Sequence, residues 1–297
     1  MSIVDTDCLV ITSDEHVNSR LGLCHPDGFI TDEGNPVLPS SLQSDVWEHW
    51  TEFWDEWVPR ATDGQKYVWV NNGDAIEGTG KKHGNTDIMS QNEEDQEGHG
   101  VRIFEPLGKR KECKGVLWIR GTEAHGGKSG HNEEALAKAL RSAGVPIIPT
   151  EQGNASHWEV FKRLGSKKGK GGCLVHCLHH IGTTGSQHYE STAPMKEWTE
   201  AATEAARWHD EPLAVVVRSH RHRSLQVRVP ATIANLPFSQ EGIVLITPGW
   251  QLKTPLVFRK AGARLSQPQM GGAIVRIHKG VLYSTFYVKR LARPPEV

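Results

Sequence analysis

The chain has 297 residues, 37% apolar and 23% charged, with a formal net charge of −1, so it can bury a sizeable core and carries no global basic field for holding nucleic acid. No apolar run approaches the roughly 20 residues of a membrane helix, and the start MSIVDTDCLVITSDEH, with acids at Asp5 and Asp7, is not a signal peptide. The cysteines, Cys8, Cys24, Cys113, Cys173 and Cys177, form no CxxC pair, which argues against a disulfide framework or thiolate zinc site and for a reducing, cytoplasmic setting.

Taken in order, Cys8 to Thr12 (CLVIT) reads as a short buried strand, followed at once by Ser13-Asp14-Glu15-His16. Residues 20–40 are rich in Gly and Pro and read as an excursion loop. Ser41 to Val58 places Leu42, Val46, Trp47, Trp50, Phe53, Trp54 and Trp57 at helical spacing, an amphipathic helix whose aromatic stripe belongs to the core. Tyr67 to Asn71 is a second buried strand that stops at the turn pair Asn72-Gly73 and delivers Asp74. Residues 78–100 are polar, either a loop or a helix beginning near Asp87. Val116 to Arg120 is a third strand, ending in a Gly turn that carries Glu123 and His125. A helix follows from about Asn132 to Ala143, marked by Asn132 and the acids Glu133 and Glu134.

Ile147 and Ser156 to Leu164 suggest shorter strands, and Lys167 to Lys170 a solvated hairpin tip. Cys173 to Leu178 is a strand ending in His179-His180. Met195 to Trp208 is an Ala-rich helix. Leu213 to Val217 is a fully apolar strand that runs into Arg218-Ser219-His220-Arg221-His222. Further strands are expected near 225–229, 243–247, 272–277 and 281–287. With no repeat and no long linker, residues 1–297 read as a single domain with a β-rich C-terminal part.

Ligands of α/β folds collect outside the carboxyl ends of strands, where the loops open a crevice. Five strands here end in Asp14-x-His16, Asp74, Glu123-x-His125, His179-His180 and His220-x-His222. Singly, Asp74 reads equally as a turn cap and each histidine as a structural residue; five coincidences at successive strand ends do not. Carboxylate with imidazole suits Mn, Zn, Fe, Ni or Co better than Ca or Mg. Seven or more donors exceed what one ion with an open position takes from protein. The count favours two divalent ions sharing a carboxylate, as in phosphatases and nucleases.

The order D-x-H, G-D, a Gly-turn polar site, H, then H-x-H resembles the calcineurin-like metallophosphoesterases, over Cys8 to about Arg223 with Gly242 to Pro255 as a continuation. The resemblance implies a four-layer α/β/β/α sandwich with two mixed β-sheets and a metal pair at the strand ends. It implies that Asp14, His16 and His222 hold one ion, that Asp74 bridges, and that His179 and His220 hold the other. The family's G-N-H-[DE] element is replaced by Gly121-Thr122-Glu123-Ala124-His125, so Glu123 is the expected ligand there and His125 the acid that protonates the leaving group. Thr122 stands in the family's Asn position, and the choice among His176, His179 and His180 stays open. His83 and Arg221 are candidate phosphate contacts, with a solvated surface position as the alternative for each. Amidohydrolases, which place H-x-H early and a lone Asp late, have the opposite order.

The activity implied is hydrolysis of a phosphate ester by in-line attack of a metal-held hydroxide on phosphorus, with a phosphodiester (nucleic acid, nucleotide or cyclic nucleotide) expected. Basic runs at Lys162-Arg163, Lys167 to Lys170 and Arg218 to Arg228 are the candidates for a nucleic-acid path. A phosphomonoesterase of the same fold is the nearest rival, and a non-catalytic metal-stabilised binding protein is the rival from another class.

Overall fold

The computed structural model describes residues 6–79, 87–165, 172–182, 187–233, 236, 239–252 and 269–290. His83 and the tip at Lys167 to Lys170 lie outside them.

Two sheets dominate. The first has the strand order β13-β12-β1-β4-β5-β6. Its strands are β1 (Cys8–Thr12), β4 (Tyr67–Asn71), β5 (Cys113–Ile119), β6 (Ser156–His157), β12 (Met270–His278) and β13 (Val281–Lys289). β1, β4, β5 and β6 run parallel, while β12 pairs antiparallel with β1 and with β13. The second sheet has the order β10-β11-β9-β8-β7. It contains β7 (Glu159–Leu164), β8 (Cys173–Leu178), β9 (Leu213–Arg218), β10 (Leu225–Pro230) and β11 (Glu241–Ile246). β8, β9 and β11 are parallel there, and the edges β7 and β10 antiparallel. A small hairpin, β2 (Phe29–Ile30) with β3 (Pro36–Val37), forms inside the 20–40 excursion.

The central strands are apolar without alternation because both faces are covered. Along β1, Leu9 and Ile11 face the second sheet while Cys8 and Val10 face helices; Val68 and Val70 against Tyr67 and Trp69 repeat this on β4, and Leu117 and Ile119 against Val116 and Trp118 on β5. Those helices are α1 (Ser41–Thr51), α3 (Glu93–Gly108) and α5 (His131–Ser142). On the far side, Trp198 and Ala201 of α6 (Thr192–Trp208) pack on Leu213, Val216 and Val244 of the second sheet. The layers are therefore α/β/β/α, with both sheets mixed, as the resemblance implied.

Two helices differ from expectation. α1 opens on a capping box between Ser40 and Gln43 and passes through a π-helical stretch, Glu52–Trp57, into α2 (Val58–Thr62). The wider turn lets Trp50, Phe53 and Trp54 all enter the core. The polar 78–100 region leads into α3, which is N-capped by Asn92, whose side chain accepts from the Glu94 amide, and carries Glu93, Glu94 and Asp95 in its first turn. Among the described residues no helix is long and apolar enough to cross a membrane, and the five cysteines are buried and free.

Candidate metal centre

The carboxyl ends of β1, β4, β5, β8 and β9 converge. Their turns are bonded to one another: the Asp14 amide donates to the Gly73 carbonyl at 2.9 Å, the His16 amide to the Asp74 carbonyl at 3.0 Å, and the Ser219 amide to the His179 carbonyl at 2.9 Å. Beneath them a polar chain ties the two sheets together. Ser13 Oγ lies 2.8 Å from Thr247 Oγ1, which lies 2.7 Å from Ser219 Oγ, and Asn72 Nδ2 donates to Ser219 Oγ at 2.6 Å.

Asp14, His16, Asp74, His220 and His222 all have φ between 47° and 70°. A non-glycine residue in the left-handed region costs energy and persists only where its surroundings enforce it; such residues cluster at functional sites. Here the strained residues are five of those whose donor atoms gather at the strand ends. Gly73, at φ 92°, lets the β4 turn pass the second sheet, since a Cβ there would stand 2.7 Å from His179 Nδ1.

Three groups of donor atoms result, each within 4.8 Å of one another: Asp14, Asp74, His179 and His220; Asp14, His16 and His222; and His16, Asp74 and His125. Asp14 and Asp74 each belong to two of them. Asp14, His16, Asp74 and His179 are at most 1% exposed, while the side chains of His222 and His220 are 13% and 46% exposed, so the cluster opens on the H-x-H side. Asp14 Oδ1 and His16 Nε2 are buried without a hydrogen-bond partner. Buried polar atoms are rarely left so. Two buried carboxylates with imidazoles whose nitrogens face them fit a divalent transition metal.

The outer bonds set each imidazole's tautomer. His179 Nδ1 donates to the Asn72 carbonyl at 2.6 Å, leaving Nε2 to face Asp74 Oδ2 at 3.0 Å. His16 Nδ1 lies 2.8 Å from Glu77 Oε2, leaving Nε2 toward Asp14 and the cluster. Glu77 also accepts from Gln251 Nε2 at 3.0 Å. Carboxylates and carbonyls behind ligating histidines are the usual orienting device of metal sites.

Burial works to raise the Asp14 and Asp74 carboxyls, but the imidazoles outweigh it (His222 and His179 for Asp14, His179 and His220 for Asp74) and hold both well below the usual range. Burial opposes protonation of His16, yet Glu77 lifts it to about 9. His179 rises to about 10, with Asp74 and Asp14 overcoming its desolvation. His125 is lowered by burial and by His16.

Not every expected residue arrives. Glu123 is exposed, outside all three groups. Thr122 is the N-cap of the short helix α4 (Glu123–Gly126), with φ −75° and ψ 151°, and that helical turn carries Glu123 away from the cluster. Thr122 instead serves Asp74: its amide donates to Oδ1 at 2.6 Å and its hydroxyl lies 3.1 and 3.2 Å from the two carboxylate oxygens. His176 lies elsewhere, 2.9 Å from Glu159 Oε2 and stacked on Phe161. His180 is exposed, its ring stacked beside His220 at 5.9 Å. Arg221 does not point into the site, because its guanidinium donates to the carbonyls of Glu190 and Gly182. Glu77 and Asn72 escaped the sequence reading. The only signal was position, Glu77 three residues beyond Asp74 and Asn72 in the same turn.

Two face-packed mixed sheets carry D-x-H, G-D, H and H-x-H at successive strand ends, the layout expected from the resemblance to the calcineurin-like metallophosphoesterases. No family model matches the chain, and no curated protein does. Among solved structures it is similar to a predicted phosphoesterase from Streptococcus pneumoniae (11% identity, 95% of this chain and 98% of that chain, TM-score 0.33). It is also similar to vacuolar protein sorting 29 from Cryptosporidium parvum (10% identity, 96% and 98%, TM-score 0.33). A third is a metallophosphoesterase from Sphaerobacter thermophilus (11% identity, 97% and 89%, TM-score 0.36). Likenesses this low carry no weight for activity.

Proposed function

We propose that the protein is a dinuclear metal-dependent phosphoesterase acting on a small phosphodiester, such as a nucleotide or cyclic nucleotide. The observation that carries this is the convergence of seven candidate donors in overlapping groups that share Asp14 and Asp74. Asp14, His16 and His222 would hold one ion, His179 and His220 the other, with Asp74 between them. Bound divalent ions would supply Lewis acidity and lower the pKa of a bound water toward neutrality. The chain's own part is geometric. Thr122 fixes both oxygens of Asp74, Asn72 and Glu77 fix the rings of His179 and His16, and strand-end turns hold the set on rigid elements.

The diester preference is supported by the cleft beside His125, a space of about 420 Å³ lined by Thr79, Glu93, Glu123, Lys128 and Asn132 among others. Two carboxylates against one lysine suit a singly charged ester with a polar second substituent better than a dianionic monoester. A polymer path finds less support. Arg163 pairs with Glu211, Arg218 with Glu197, Arg223 with Glu190 and Arg228 with Glu241, and Lys162 is buried.

Purified protein with Mn²⁺, Ni²⁺ or Zn²⁺ should hydrolyse bis(p-nitrophenyl) phosphate faster than p-nitrophenyl phosphate. A faster monoester refutes the diester preference and keeps the phosphoesterase. No rate above buffer on either ester with any of these metals refutes the enzyme and leaves a metal-bound scaffold.

A further inference from the structure

Resting on the metal-centre reading, we infer that His125 is a metal ligand, a fifth donor to the ion held by Asp14, His16, His222 and Asp74, rather than the proton donor of the hydrolysis. A nitrogen of His125 shares the third donor group with His16 and Asp74, and its ring stands edge-on to His16 with centroids 4.5 Å apart. Its tautomer follows from its neighbour. His125 Nδ1 lies 3.0 Å from the backbone carbonyl oxygen of Glu77. A carbonyl only accepts, so Nδ1 carries a proton, and in the neutral ring the lone pair lies on Nε2. That nitrogen is then available to a cation.

Glu77 thus orients two imidazoles at once, His16 through its carboxylate and His125 through its carbonyl. The need for such a donor is visible at the end of β5. The slot there holds Thr122, whose hydroxyl is engaged with Asp74. The next turn, α4, brings His125 in from the side, and Asn132 Nδ2 donates to its carbonyl at 3.4 Å. The side chain of His125 is 21% exposed, less than half the exposure of His220.

The two ions would then be unequal. The first would have three imidazoles and two carboxylates, the second Asp74, His179 and His220. The first should bind tightly and the second loosely. X-ray absorption on wild-type protein loaded with one equivalent of Zn²⁺ should count three imidazoles, and His125→Ala should count two. Competition against a chelator should show the tight step weakened by at least about tenfold in His125→Ala, with the metal-free melting temperature near that of wild type. Two imidazoles in wild type, or an unchanged tight affinity in His125→Ala with turnover lost, overturns the inference and returns His125 to proton donation. Wild-type protein that takes up no Zn²⁺ refutes the metal centre itself. The wild-type spectrum decides even if the variant fails to fold.

Discussion

Gly249→Ala tests the geometry of the first ion without touching a ligand. A Cβ at this position would stand 2.8 Å from Asp14 Cβ and 3.0 Å from His222 Nδ1. Carbon atoms in contact sit about 3.5–4.0 Å apart, so Asp14 or the strand end must move by roughly 0.7 Å. Asp14 has little freedom: its carbonyl accepts from the Trp250 amide at 2.8 Å and its own amide donates to Gly73 at 2.9 Å. Metal–ligand distances tolerate about 0.2 Å. Overpacking of this size costs about 1–3 kcal/mol, and each 1.4 kcal/mol is about tenfold in affinity. The expected result is a first-ion affinity about tenfold to a hundredfold weaker, with the ion at His179 and His220 little changed. Chelator competition with Mn²⁺, alongside melting with and without metal, reads both steps. Unchanged affinity at both steps would show that Asp14 and His222 do not share an ion.

Three further outcomes are expected. Asp74→Asn should lower occupancy of both ions, whereas Asp14→Asn should chiefly weaken one; equal and small losses, measured by metal analysis after dialysis, would return Asp74 to a turn cap. In metal-free protein the raised His16 and His179 stabilise the fold fully below the unfolded histidine pKa of about 6.5. That contribution is lost as pH rises through about 9 and 10. Urea unfolding in EDTA should therefore show stability falling from pH 6.5 to 10, while metal affinity rises over the same window because binding releases those protons; a flat metal-free profile would contradict the cluster's charge balance. Trp118→Phe removes the indole N–H that donates to buried Glu133 Oε2 at 2.6 Å. It should cost about 1–3 kcal/mol in urea unfolding, and no loss would mean that Glu133 is held adequately by the Ala75 amide alone.

The strands carrying the centre were legible because each is buried on both faces and so writes an unbroken apolar run ending at a turn. α3 was not, since Gly98, Gly100 and Pro106 depress helical propensity. Gly100 has a tertiary reason, for a Cβ there would press on Leu136 of α5 at 2.9 Å. Asp14, His16, Asp74, His179, His220 and His222 could be named because each sits within four residues of its strand's end. Glu123 could not be excluded from sequence, because adjacency to Thr122 says nothing about which way the first turn of α4 points. Glu77 and Asn72 act through the rings of His16 and His179, and that role is set by distances across the fold, not by spacing along the chain.

A crystal grown or soaked with Mn²⁺ and measured for anomalous scattering tests the two-ion centre most directly. The account predicts two peaks, one among Asp14, His16 and His222 and the other against His179 and His220, with Asp74 between them. A single peak, or none, with Asp74 bonded only to Thr122 and His179, would contradict it.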